Sequence, residues 1–238
     1  MQNEPHIQSV FDRDLEAIQA LIMKMGGLVE TATLDAARAL ENRDEELARQ
    51  VVAQDRAIDA LEAQVNEEVA RVIALRAPTA GDLRTVLTVL KISGGLERMG
   101  DYAKNIAKRS TVLAQMPPIN GAAGTLRRMA KQVEQMLKDA LDAYIRRDAA
   151  LAADVRARDQ DVDQIYNTLF RVLLTHMLED PRSITTCMHL HFIAKNIERM
   201  GDHATGIAEQ VIYLVTGAIP EEPRPKDDKT PFVASVND

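Results

Sequence analysis

Apolar residues recur along this chain at steps of three, four and seven almost from end to end, and that is the spacing of one face of an α-helix. Between 44 and 75 the row is Leu47, Val51, Ile58, Leu61, Val65, Val69 and Val72. Asp44, Glu45 and Glu46 open it, placing carboxylates where the helix dipole favours negative charge. An earlier helix is predicted over 8–40, carried by Phe11, Leu15, Ile18, Ile22, Met25 and Val29. Pro78 and Gly81 interrupt the pattern, a third helix follows over 82–116, and Pro117-Pro118 stops it. The same order of events then predicts helices over 121–147, 148–179 and 181–216.

This succession is an internal repeat. Arg43-Asp44-x-x-Leu47-Ala48 returns 104 residues later as Arg147-Asp148-x-x-Leu151-Ala152. Leu96-Glu97-Arg98-Met99-Gly100-Asp101 returns 101 residues later as Ile197-Glu198-Arg199-Met200-Gly201-Asp202. The offset shrinks in the loop before the third helix of each half, where a length change is tolerated. The expected fold is therefore all-α, two tandem homologous three-helix bundles made of six long antiparallel helices. The first bundle is expected over 1–118, the second over 119–217, and a proline-rich, charged segment over 218–238 reads as a disordered tail.

Composition narrows the function. The 238 residues are 46% hydrophobic and 27% charged but only 3% aromatic, so the core is aliphatic and the chain globular. With 29 basic and 36 acidic residues the net charge is −7, which argues against binding nucleic acid through its phosphates. Cys187 is the single cysteine, so no disulfide framework or cysteine zinc site is available. No run of apolar residues is long enough to span a membrane, and the acidic start of the chain lacks the apolar core of a secretory signal. A cytoplasmic protein is expected. Motifs for phosphate loops, zinc peptidases and nucleophile elbows are missing, and no histidine follows a glutamate by three, as di-iron bundles require. No catalytic residue is assigned, and no enzymatic activity is expected.

The candidate chemistry lies in carboxylates. Ile92, Leu96, Met99, Ala103 and Ile106 form the core seam of the third helix. On its other side Leu83, Leu87, Leu90 and Gly94 lead to Glu97, Asp101 and Asn105. The sixth helix repeats this with Ile184, Met188, His191, Lys195, Glu198 and Asp202. The middle helices add Asp55 and Asp59, with Glu62 a turn beyond, and then Asp159 and Asp163. Like charges at i, i+4 cost a helix ~0.2–0.5 kcal/mol. Four carboxylates converging in each half must be protonated, paired with arginine, or neutralised by a cation that takes oxygen ligands. A solvated acidic face is the plainer alternative, and His191 reads as a polar filler.

The doubled Glu-Arg-Met-Gly-Asp string, with Tyr102-Ala103-Lys104-Asn105-Ile106-Ala107 after its first copy, and Pro78-x-x-x-Asp82-Leu83-Arg84 together resemble the PhoU family over nearly the whole chain. That resemblance implies a negative regulator of the phosphate-starvation response and of phosphate uptake. It implies an adaptor between the ATPase subunit of the phosphate ABC transporter and a sensor histidine kinase, often a homodimer, touching the membrane only through its partners. It also implies iron or zinc clusters on Asp55, Asp59, Glu97 and Asp101 in one half and on Asp159, Asp163, Glu198 and Asp202 in the other. Gly206 stands where the family's usual asparagine, matched by Asn105, would recur. The competing class is a carboxylate bundle that stores metal or does redox chemistry.

Overall fold

The computed structural model describes residues 4–220, with side chains from Phe11 onward. Six helices follow one another: α1 (Glu4–Asn42), α2 (Glu45–Arg76), α3 (Ala80–Leu113), α4 (Ala122–Arg146), α5 (Ala149–Glu179) and α6 (Ile184–Thr216). A 3-10 turn over Pro181–Ser183 leads into α6, and no strand occurs among the described residues. Six long helices, read from periodicity, are what the chain forms. The tail expected to be disordered falls, beyond residue 220, outside the described residues.

The helix ends show why the boundaries fall where they do. Asp44 and Asp148 are N-caps whose Oδ1 accepts from Leu47 N in one repeat and from Ala150 N and Leu151 N in the other. The residue before each, Arg43 and Arg147, adopts a left-handed conformation at φ 56° and 51°. Asp44 N donates to Ala39 O and Arg43 N to Leu40 O, and Asp148 N and Arg147 N repeat this on Ala143 O and Tyr144 O. This is the Schellman closure of α1 and α4, made here with arginine where glycine is usual. Helix α3 stops three residues short of the expected 116. Pro117 disfavours a helical conformation at Met116, and the Arg43 guanidinium takes the released carbonyls of Leu113, Ala114 and Met116 at 3.3, 2.5 and 2.7 Å. Gly81, expected to interrupt the pattern, lies in the first turn of α3.

Within each repeat every helix packs on the other two, and α3 lies on α6 and α1 on α4. One apolar cluster therefore runs through both repeats. Small residues set the closeness of the helices. Ala32, Ala36, Ala37 and Ala39 of α1 are all buried, and a Cβ on Gly95 of α3 would lie 3.3 Å from Ile207 of α6. The expected seam is buried throughout: Ile92, Leu96, Met99, Ala103 and Ile106 in α3, and Ile193, Ile197, Met200, Ala204 and Ile207 in α6. The opposite row is not a second seam. Leu87, Ile184 and Met188 are exposed, so the carboxylates that follow them extend a partly wetted face.

Candidate functional site

Glycine brings the carboxylates of neighbouring helices together. A Cβ on Gly100 would stand 2.9 Å from Ile58 Cδ1 and 3.7 Å from Asp55 Oδ1, so α2 reaches α3 only because position 100 has no side chain. In the second repeat a Cβ on Gly201 would stand 3.2 Å from Asp159 Oδ1. The glycine of each Glu-Arg-Met-Gly-Asp string thus seats the buried aspartate of the middle helix.

In the first cluster Asp55 is 4% exposed, Glu97 and Asp101 are half-buried, and Asp59 is exposed. Lys104, one turn beyond Asp101, bridges the helices: its Nζ donates to Asp55 Oδ2 at 2.5 Å and to Asp101 Oδ1 at 2.7 Å. The Lys104 bond holds the Asp101 carboxyl below its ordinary pKa. Burial, then the charge of Asp101, pushes Glu97 up, and the two share a hydrogen bond. Glu62 is an α2 carboxylate whose charge adds to that push. Both bonds to Lys104, with Asp101 the stronger, hold its ammonium above the usual lysine range.

In the second cluster Asp159, Asp163 and Glu198 are all buried and Asp202 is half-buried. Lys195 Nζ donates to Glu198 Oε1 at 2.9 Å and sits 5.0 Å from the centre of the Tyr166 ring. Glu198 Oε2 is buried without a hydrogen-bond partner. Burial raises its pKa, Lys195 opposes this, and the charges of Asp202 and Asp163 add to it. His191 packs among rings, stacked on Tyr166 at 5.9 Å and tilted against Phe170 at 5.2 Å. His189 Nδ1 lies 3.3 Å from an Arg109 nitrogen, and His203 lies against Tyr102 of the other repeat.

The structure thus joins Asp55 to Asp101 through Lys104 and sets Glu97 beside Asp101 in one half; in the other it brings Asp163 and Asp202 to Glu198 and seats Asp159 at Gly201, while Asp59 is exposed. Sequence reasoning gives Lys104 and Lys195 no role as partners of these acids. Their positions, three residues after Asp101 and three before Glu198, carry the i, i+3 signal of a helical ion pair. Carboxylate oxygens are ligands that both iron and zinc accept, so the arrangement rather than the donor type decides the fit. Among the described residues no three His, Cys, Asp or Glu side chains are arranged around one ion. Lys104 already pairs with two carboxylates of the first cluster, Asp55 and Asp101. As these side chains stand, the first cluster fits an ammonium rather than a metal.

A six-helix assembly of two homologous three-helix repeats, whose middle and third helices meet through Gly-seated aspartates, defines a duplicated all-α protein with an acidic cluster in each half. The PhoU domain model matches residues 22–110 and again 126–211, and the chain belongs to the PhoU family. Named relatives agree. It is 50% identical over 223 residues to the phosphate-specific transport system accessory protein PhoU homolog of Zymomonas mobilis, covering 93% of this chain and 94% of that one. The homolog of that name from Rhizobium meliloti is 46% identical over 233 residues, 98% of each chain. The crystal structure of PhoU from Pseudomonas aeruginosa superposes with a TM-score of 0.85 at 40% identity, covering 87% of this chain and all of that one. That of the phosphate transport system regulatory protein PhoU from Streptococcus pneumoniae gives 0.82 at 29% identity, covering 89% and 100%.

Proposed function

We propose that this chain is a cytoplasmic accessory protein of a phosphate-specific transport system and a negative regulator of phosphate uptake and of the phosphate-starvation response. It acts without chemistry of its own, as an adaptor between the ATPase subunit of the phosphate ABC transporter and a sensor histidine kinase, and works as a homodimer. The observation that carries this reading is the match of both repeats to one domain, in a chain half identical along nearly its whole length to a named accessory protein of phosphate transport.

The surface supports it. Leu87 in one repeat, and Ile184, Met188 and Phe192 in the other, are exposed on the rows that lead into the carboxylate clusters. Ile184, Met188 and Phe192, in the first turns of α6, offer an apolar surface of the kind a partner protein covers. Among the described residues no helix is long and apolar enough to cross a membrane, and in this account the membrane is reached through the transporter. To bias the kinase the chain binds one of its conformations more tightly than another, because a ligand with equal affinity for both shifts nothing. No step runs through a metal.

Deleting the gene leaves kinase output high in phosphate-rich medium, and returning the wild-type chain restores repression. Kinase output that is unchanged by the deletion would refute the regulatory role.

A further inference from the structure

Lys104 stands in the first cluster where a bridging cation would stand. Its Nζ spans carboxylates of two helices, Asp55 of α2 and Asp101 of α3, at 2.5 and 2.7 Å. The second repeat is built otherwise. By the 101-residue offset the position matching Lys104 is Thr205, which is fully buried with a hydroxyl that has no hydrogen-bond partner. There the ammonium comes from the opposite end of the string, on Lys195, whose match in the first repeat is Gly94. The two clusters have like acids and unlike cations.

A carboxylate as buried as Asp55 is either protonated or paired with a positive charge, and Lys104 supplies that charge. In the first repeat that partner is tethered one turn from Asp101, so its contact with the carboxylates is intramolecular and does not depend on the supply of a dissolved metal ion. We propose that Lys104 is the resident cation of the first cluster: it joins α2 to α3 as a divalent ion would, and it keeps such ions off the Asp55–Asp101 pair. The contact between these helices is then independent of metal supply, and only removal of the lysine opens the pair to a metal.

The full chain, stripped by chelator and dialysed against Zn²⁺, is assayed for bound zinc as wild type, Lys104→Met, Asp101→Asn and the double variant, each checked for helical circular dichroism. Lys104→Met is expected to hold about one zinc more than wild type, on the freed Asp55 and Asp101 carboxylates, and Asp101→Asn then abolishes it in the double variant. Asp101→Asn alone leaves the wild-type zinc content unchanged. Equal zinc in wild type and Lys104→Met, or zinc lost from wild type through Asp101→Asn alone, overturns the proposal. Should Lys104→Met fail to fold, the Asp101→Asn comparison decides, and a readout without metal stands beside it. In native wild type an amine-acylating reagent modifies Lys104 at least about ten-fold more slowly than the exposed Lys108 on the same helix, because its ammonium is held in charge-assisted bonds. Equal rates also overturn the proposal.

Discussion

The two inter-helix arginines provide an internal control, because duplication gave them the same backbone and different duties. Arg43 and Arg147 both close a Schellman motif with positive φ. For a residue with a Cβ that conformation costs ~1–2 kcal/mol, and glycine escapes it while giving back ~0.5–1 through its freer unfolded chain. Arg147→Gly should therefore stabilise the protein by about 0.5–1 kcal/mol. Arg43→Gly gains the same relief but loses the guanidinium that holds the carbonyls of Leu113, Ala114 and Met116. Those bonds are mostly exposed, so ~0.5–1 kcal/mol each is a fair scale, and the net result is a loss of ~1 kcal/mol. For a chain of this size ~1 kcal/mol moves Tm by about 2–4 °C. Thermal unfolding followed by circular dichroism should therefore show Arg147→Gly rising and Arg43→Gly falling. Shifts of the same sign in both variants would refute the assignment of Arg43 as the clamp on α3.

Helical glycines give a second pair of outcomes. Gly94→Ala and Gly206→Ala place a Cβ where nothing lies within 4 Å and should each stabilise by about 0.5–1 kcal/mol. Gly201→Ala pushes on Asp159 from 3.2 Å and should destabilise by about 1 kcal/mol, as read by chemical denaturation. Leu96→Ala removes a side chain with no exposure and should cost about 2–5 kcal/mol in the same assay, whereas Leu87→Ala on the exposed row should stay within about 0.5 kcal/mol. Burial and the charge of Glu134, with Asp142 adding and Lys138 and Lys131 opposing, raise the pKa of Glu30 above its ordinary 4.5. Between the two values the folded state holds more protons than the unfolded, so Glu30 costs stability as pH rises through that window. Glu30→Gln should raise Tm at neutral pH and flatten its dependence on pH above about 4.5. A variant that melts lower than wild type at pH ~7 would contradict that sign.

Much of this architecture was legible in the chain. The steps from Leu47 to Val72 gave α2, and the copies of Arg43-Asp44 and Leu96 to Asp101 gave the duplication, because caps and core seams are local patterns. The burial of Asp55 and Asp159 was not legible, since it depends on how closely Gly100 and Gly201 let a second helix approach. The exposure of Leu87 on the row opposite the core seam was not legible either, because periodicity marks an apolar face without saying what covers it. Arginine in the left-handed turn left no signal, since glycine is the residue that announces one. Lys104 was legible as an i, i+3 partner of Asp101 but not as a bridge to Asp55, because the second contact spans 49 residues.

The most direct test of the account is the affinity of the purified chain for the cytoplasmic part of the sensor kinase held in each of its two signalling states, with the transporter ATPase subunit measured alongside. The account predicts binding to both partners and a preference of at least about ten-fold for one kinase state, equivalent to ~1.4 kcal/mol. Equal affinity for the two states, or no binding to either partner, would contradict it.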